Sequence, residues 1–167
     1  MTTAAQRKEL EGLCRFLLSH RAQLDYPTDD VRGALDAATF KLSREQAIAH
    51  LKAGKRLMFD CSAFWTCVYK WSGLKDPNGL AYQHEGYTGT MLARLPHYTD
   101  AKLAGIGALA TFGPGTADHV SGVLEPDTKH GSPLMLSHGR SGLDVIRLLD
   151  EAKQHRPPVT LLNVSRL

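Results

Sequence analysis

Asp60-Cys61-Ser62 stands directly ahead of an apolar stripe formed by Phe64, Val68 and Trp71. That spacing predicts a helix with one buried face, capped by Asp60, with Cys61 in its first turn. The unpaired amides and positive dipole end of a helix start favour the thiolate form of a cysteine, which is its attacking form. A thiol nucleophile also needs a base within hydrogen-bond reach and a group that orients that base. His119 opens one apolar run and His138 closes another, 138 − 119 = 19 residues on. Adjacent antiparallel strands would bring two such positions side by side. The competing reading is that a cysteine in a soluble domain is a packing residue. It is the reading adopted for Cys14, within the stripe Leu10, Leu13, Leu17 and Leu18, and for Cys67.

The elements that would position these groups follow from the same patterning. Residues 7–23 read as an amphipathic helix, and the Tyr26-Pro27-Thr28-Asp29-Asp30 turn breaks it. Residues 31–41 read as a short helix or an irregular connection. Ser43 with Gln46 forms a capping box for a helix that ends at Gly54. The helix after Asp60 stops at Gly73, and residues 89–95 form another short one. Leu109–Phe112, His119–Leu124, Leu134–His138 and Val159–Val164 are short apolar runs bounded by Gly, Pro and Asp, the pattern of antiparallel strands. Residues 143–154 fit either a helix or a strand plus turn. Helices first and strands second indicate an α+β fold, with the central helix packed on a small sheet.

At 167 residues the chain is expected to be one domain, with residues 1–55 a helical N-terminal extension and 56–167 a core carrying the chemistry. A net charge of +3 is too weak to argue for nucleic acid but suits an anionic polymer such as a cell wall. Three cysteines cannot form a complete intramolecular disulfide framework. The polar start lacks the apolar core of a secretory signal, and no apolar run is long enough to span a bilayer. No membrane insertion is expected.

Asp60-Cys61-Ser62-Ala63-Phe64 at a helix start, Gly113-Pro114-Gly115 ahead of His119-Val120, and Ser137-His138-Gly139 together resemble the NlpC/P60 family of cell-wall cysteine peptidases. With Asp76-Pro77-Asn78-Gly79 and Gly86-Tyr87-Thr88-Gly89-Thr90, the run is similar to the peptidase domain of bacteriophage endolysins. The resemblance covers residues 59–140 and implies a papain-like fold. It implies Cys61 as nucleophile, His119 as general base and acid, and His138 as the orienting third member. Tyr26, 61 − 26 = 35 residues before the cysteine, would line the oxyanion site. Ser62 and Asp118 would border the substrate. The implied substrate is a peptidoglycan stem peptide, cut between γ-D-glutamyl and a diamino acid, with no metal or other cofactor. A monomer made in a host cytoplasm and released to the wall by a holin-type route is the expected setting. The alternatives are an amidase with the same triad, an acyltransferase, or an inactive wall-binding or virion module.

Other patterns argue less. The eight histidines include no His-Glu-x-x-His motif, and no Cys-x-x-Cys pair is present. A zinc site would have to combine His119 and His138 with Cys61. Gly139-Arg140-Ser141-Gly142-Leu143 lacks the closing glycine of a serine-hydrolase elbow. His50, His97, His130 and His155 have no partner pattern and are expected at the surface.

Overall fold

A computed structural model describes residues 3–165. The N-terminal third is helical: α1 (Ala4–Ser19), α2 (Arg32–Phe40) and α3 (Arg44–Lys52). Two-residue strands β1 (Leu24–Asp25) and β2 (Leu57–Met58) pair in parallel and tie the α1–α2 connection to the segment before Cys61. Helix α4 (Cys61–Trp71) and the shorter α5 (Thr88–Arg94) follow. Strands β3 (Leu109–Phe112), β4 (His119–Glu125), β5 (Leu134–Gly139), β6 (Gly142–Arg147) and β7 (Val159–Leu162), with the single turn α6 (Leu148–Glu151), complete the chain. The large sheet is antiparallel throughout, in the order β6-β5-β4-β3-β7. This is an α+β arrangement, and no helix among the described residues is long and apolar enough to cross a membrane.

Capping chemistry sets the helix ends as the sequence predicts. Ser43 and Gln46 form the reciprocal box at α3. The Asp60 carboxylate accepts the amides of Ser62 and Ala63 at α4. Gly73 ends that helix with φ +67°, a conformation that disfavours any side chain. The ambiguous segment 31–41 is helix α2. Residues 143–154 hold both alternatives in turn, β6 and then α6. The parallel β1–β2 pair has no sequence signal, because two residues are too few to show a period.

Nearly every residue of α4 is buried, so the helix runs through the molecule rather than over it. One side packs on α1 and α2, the other on β4 and β5. Leu10, Leu13, Leu51, Phe59, Phe64 and Leu136 belong to the same core, so the N-terminal helices complete the burial of α4. Each buried Phe or Leu contributes about 1.5–3 kcal/mol. Gly122 of β4 lets α4 approach the sheet: a Cβ there would lie 2.3 Å from the Trp65 ring. A second core lies on the other face of the sheet, around Ala110, Phe112, Val123, Met135 and Leu148. The Asp76-Pro77-Asn78-Gly79 loop is tied to both helices beside it. Asp76 accepts the amides of Asn78, Leu80 and Tyr82, and Asn78 bonds Thr66 of α4 and Thr90 of α5.

Candidate active site

Because side chains alternate along a strand, β4 and β5 present two different surfaces. Val120, Gly122, Leu136 and His138 face α4, whereas His119, Ser121 and Ser137 face the opposite way, toward α6. The residue beside His119 across the ladder is Gly139, whose added Cβ would sit 3.9 Å from the His119 ring. His138 is one position off and therefore points to the other side.

His138 does not orient His119, contrary to the sequence expectation. It is fully buried in an aromatic box of Tyr26, Phe59 and Phe64, stacked on Phe64 at 5.2 Å. Its Nε2–H donates to the Phe59 carbonyl at 2.9 Å. Burial, which penalises the charged ring, lowers its pKa to about 4 despite backbone carbonyls that favour the proton. It is a neutral strut behind the turn that leads into Cys61.

The groups that do meet His119 are Cys61 and, at its Nε2, Ser137 and Glu151. The His119 Nε2 lies 2.9 Å from Ser137 Oγ and 3.3 Å from Glu151 Oε1. Its N–H aims at the serine, leaving that carboxylate oxygen in ion-pair contact but without an aligned hydrogen bond. Ser121 Oγ donates to the other oxygen, Glu151 Oε2, at 2.8 Å. Glu151 is 1% exposed, and a carboxylate this buried persists only with a compensating charge. Burial pushes its pKa up, but His119, Ser137 and Ser121 together bring it below the usual carboxylate range. For His119 burial likewise opposes the charge. Hydrogen bonding and negative charge from Cys61 and Glu151 outweigh it and raise the pKa to about 9. The ring thus meets a sulfur and a carboxylate that both favour its protonated form.

Cys61 heads α4 with its amide left out of the Asp60 cap, which serves Ser62 and Ala63. Asp60 is itself held by Asp36 of α2, which accepts the Asp60 backbone N–H at 2.7 Å. Burial and then the Asp60 charge raise the Asp36 pKa to about 7. Tyr26 stands beside Cys61, with Arg32 5.5 Å above its ring. Burial, then the negative charges of Cys61 and Asp60, raise the Tyr26 pKa well above its ordinary value, so its hydroxyl remains a donor. Ser62 borders the cleft, but its hydroxyl donates to Asp60 at 2.8 Å. Asp118 forms part of the wall and pairs with Arg156 at 2.7 Å.

Two adjoining cavities share Tyr26, Asp118 and Arg140 as walls. One, of 620 Å³, opens on Cys61, Arg32 and Tyr87; the other, of 540 Å³, opens on His119, Glu151 and His155. Arg140 bridges the first by a forked contact to Asp29 at 2.9 and 3.0 Å. A smaller cavity of 210 Å³ beside Leu10, Tyr69 and Ile106 is lined by no cysteine, histidine or carboxylate among the described residues.

Sequence reasoning gave no role to Ser121 and Ser137, and it missed Glu151 and His155 altogether. The latter two lie four positions apart, at the end of α6 and in the turn after it, a segment whose structure the pattern left open. His155 stacks on His119 with the rings 4.5 Å apart and 8° from parallel. Ligand atoms of His119, Glu151 and His155 come within 4.8 Å of one another, a metal-like grouping. The stacking argues against one. Imidazole lone pairs lie in the ring planes, so two parallel stacked rings cannot converge on one ion at about 2.0–2.1 Å. The other zinc grouping, His119 and His138 with Cys61, is not assembled either, because His138 bonds the Phe59 carbonyl on the far face.

Comparison of the chain with family models, with curated proteins and with solved structures returned no match.

Proposed function

We propose that the chain is a thiol hydrolase of NlpC/P60 type with a papain-like fold, acting on peptidoglycan stem peptides, with Cys61, His119 and Glu151 as its triad. The observation that carries this reading is the buried His119 imidazole, which meets Cys61 and, at Nε2, the Ser137–Glu151 pair. A cysteine beside a histidine supplies both the nucleophile and, once the sulfur's proton is on the ring, the proton for acyl transfer.

In the proposed reaction the Cys61 sulfur forms a bond to the scissile carbonyl carbon. The carbonyl electrons move to oxygen, where the Cys61 amide and the Tyr26 hydroxyl donate hydrogen bonds. As the oxyanion collapses, the C–N bond breaks and the His119 proton goes to the leaving amine. Water then attacks the thioester carbonyl as His119 takes its proton, the C–S bond breaks, and the acid product leaves while the Cys61 sulfur and His119 again share one proton. Glu151 stabilises the imidazolium in each half-reaction, with Ser137 and Ser121 fixing the carboxylate.

The substrate follows from the family resemblance, and the two-armed cleft supports an extended peptide lying across Cys61. Incubation with purified peptidoglycan and mass analysis of the products tests it. New amino groups within the stem peptide are the expected result. Release of whole stem peptides would make the enzyme an amidase, and binding without release would make the chain a wall-binding module. Cys61→Ala is expected to abolish release while the protein remains folded; full activity in that variant would overturn the assignment of the nucleophile.

A further inference from the structure

We propose that His155 is a positioning residue, its ring lying flat on the His119 imidazole and fixing the plane in which that base faces Cys61. The inference rests on the reading of His119 as the base of a thiol nucleophile.

The Ser137 and Glu151 contacts both fall on one ring atom, Nε2. They hold that atom, so the tilt of the ring about the line from Cβ to Nε2 is left to its contact with Cys61 and to the rings packed on its faces. The second side-chain torsion of histidine is intrinsically broad, so the tilt is set by packing rather than by the torsion itself. A ring stacked at 4.5 Å and 8° selects it, because tipping would drive the His119 edge into His155. Phe112 backs both rings, with centroids 5.0 Å from His155 and 5.8 Å from His119. Glu151 and His155, four residues apart, thus place a carboxylate at the edge of the base and an aromatic face against its plane. Burial and the charge of His119 lower the His155 pKa, against smaller opposite effects of Glu151 and Asp118. A neutral ring over an imidazolium is an attractive pairing, whereas two charged rings would repel.

The test uses the full chain with His155→Ala, His155→Phe and His155→Leu. Turnover on peptidoglycan is measured alongside the rate at which iodoacetamide alkylates Cys61 at neutral pH. Cys14 and Cys67 are fully buried, so the folded protein reports on Cys61. The Ala and Leu variants should lose about tenfold in alkylation rate and in kcat, with KM changed by less than about twofold. The Phe variant, which keeps the flat face, should stay within about twofold of the parent on all three. Parent-like rates in the Leu or Ala variant would overturn the proposal, as would a Phe variant as slow as Ala. If alkylation follows the expected order while no peptidoglycan fragment is released, the substrate reading fails and the role of His155 stands.

Discussion

The two faces of β4 and β5 put the same residue type to opposite uses. On the face toward α4, His138 is sealed among aromatic rings, bonded to a backbone carbonyl and kept neutral. On the face toward α6, His119 is also buried, at 6% exposure, yet its protonated form is favoured, because a sulfur and a carboxylate meet the ring. Burial alone therefore does not decide the charge of a histidine; the sign of the nearest partners does. One position along a pleated strand is enough to exchange one environment for the other.

The sharpest way to break this comparison is to truncate each histidine and read activity and stability separately. His119→Ala is expected to cost about 10⁴-fold in kcat with a folded protein retained. Glu151→Gln should cost between about 10² and 10⁴-fold, since it removes the charge that stabilises the imidazolium but keeps the shape. His138→Phe should leave turnover within about threefold while lowering stability by about 1–3 kcal/mol in denaturant titrations, because the Phe59 carbonyl loses its donor. A His138→Phe variant as inactive as His119→Ala would show that the α4 face takes part in the chemistry after all.

The pH dependence of stability sharpens the contrast. His138 releases its proton at about 4 in the fold against an ordinary 6.5, so the unfolded chain binds more protons between those values. Its contribution is present above pH 6.5 and is lost as pH falls toward 4. His119 runs the other way: its folded pKa of about 9 gives stability that is full below 6.5 and lost as pH rises through 9. Thermal melts across pH should lose the acid-side fall in His138→Phe and the alkaline-side fall in His119→Ala. Asp36, raised to about 7 from an ordinary 3.8, opposes His138 by favouring the fold at low pH. Asp36→Asn should therefore steepen the gain in stability between pH 4 and 7, as read from the same melts.

Much of the frame was legible before any coordinates. The Asp60 cap, the α4 stripe, the Ser43–Gln46 box and the stop at Gly73 are local patterns, and local patterns carry their own period and chemistry. The four core strands were readable for the same reason. The third partner of the base was not. His138 had the right residue type on the right strand, but which strand face meets a given helix depends on register and packing. Glu151 sits in a single helical turn whose pattern was ambiguous, and its tie to Ser121 spans 30 residues.

By itself the amino-acid sequence determined the head of α4: a thiol one residue past a capping aspartate, on a helix too apolar to lie at the surface. Spacing along one chain is enough for that, because a helix start is built from consecutive residues. The tertiary structure decided which groups surround that thiol and the base beside it. Tyr26 comes from one segment and Glu151 with His155 from another far along the chain, and bringing them to one site depends on how the sheet is ordered and which of its faces each side chain takes.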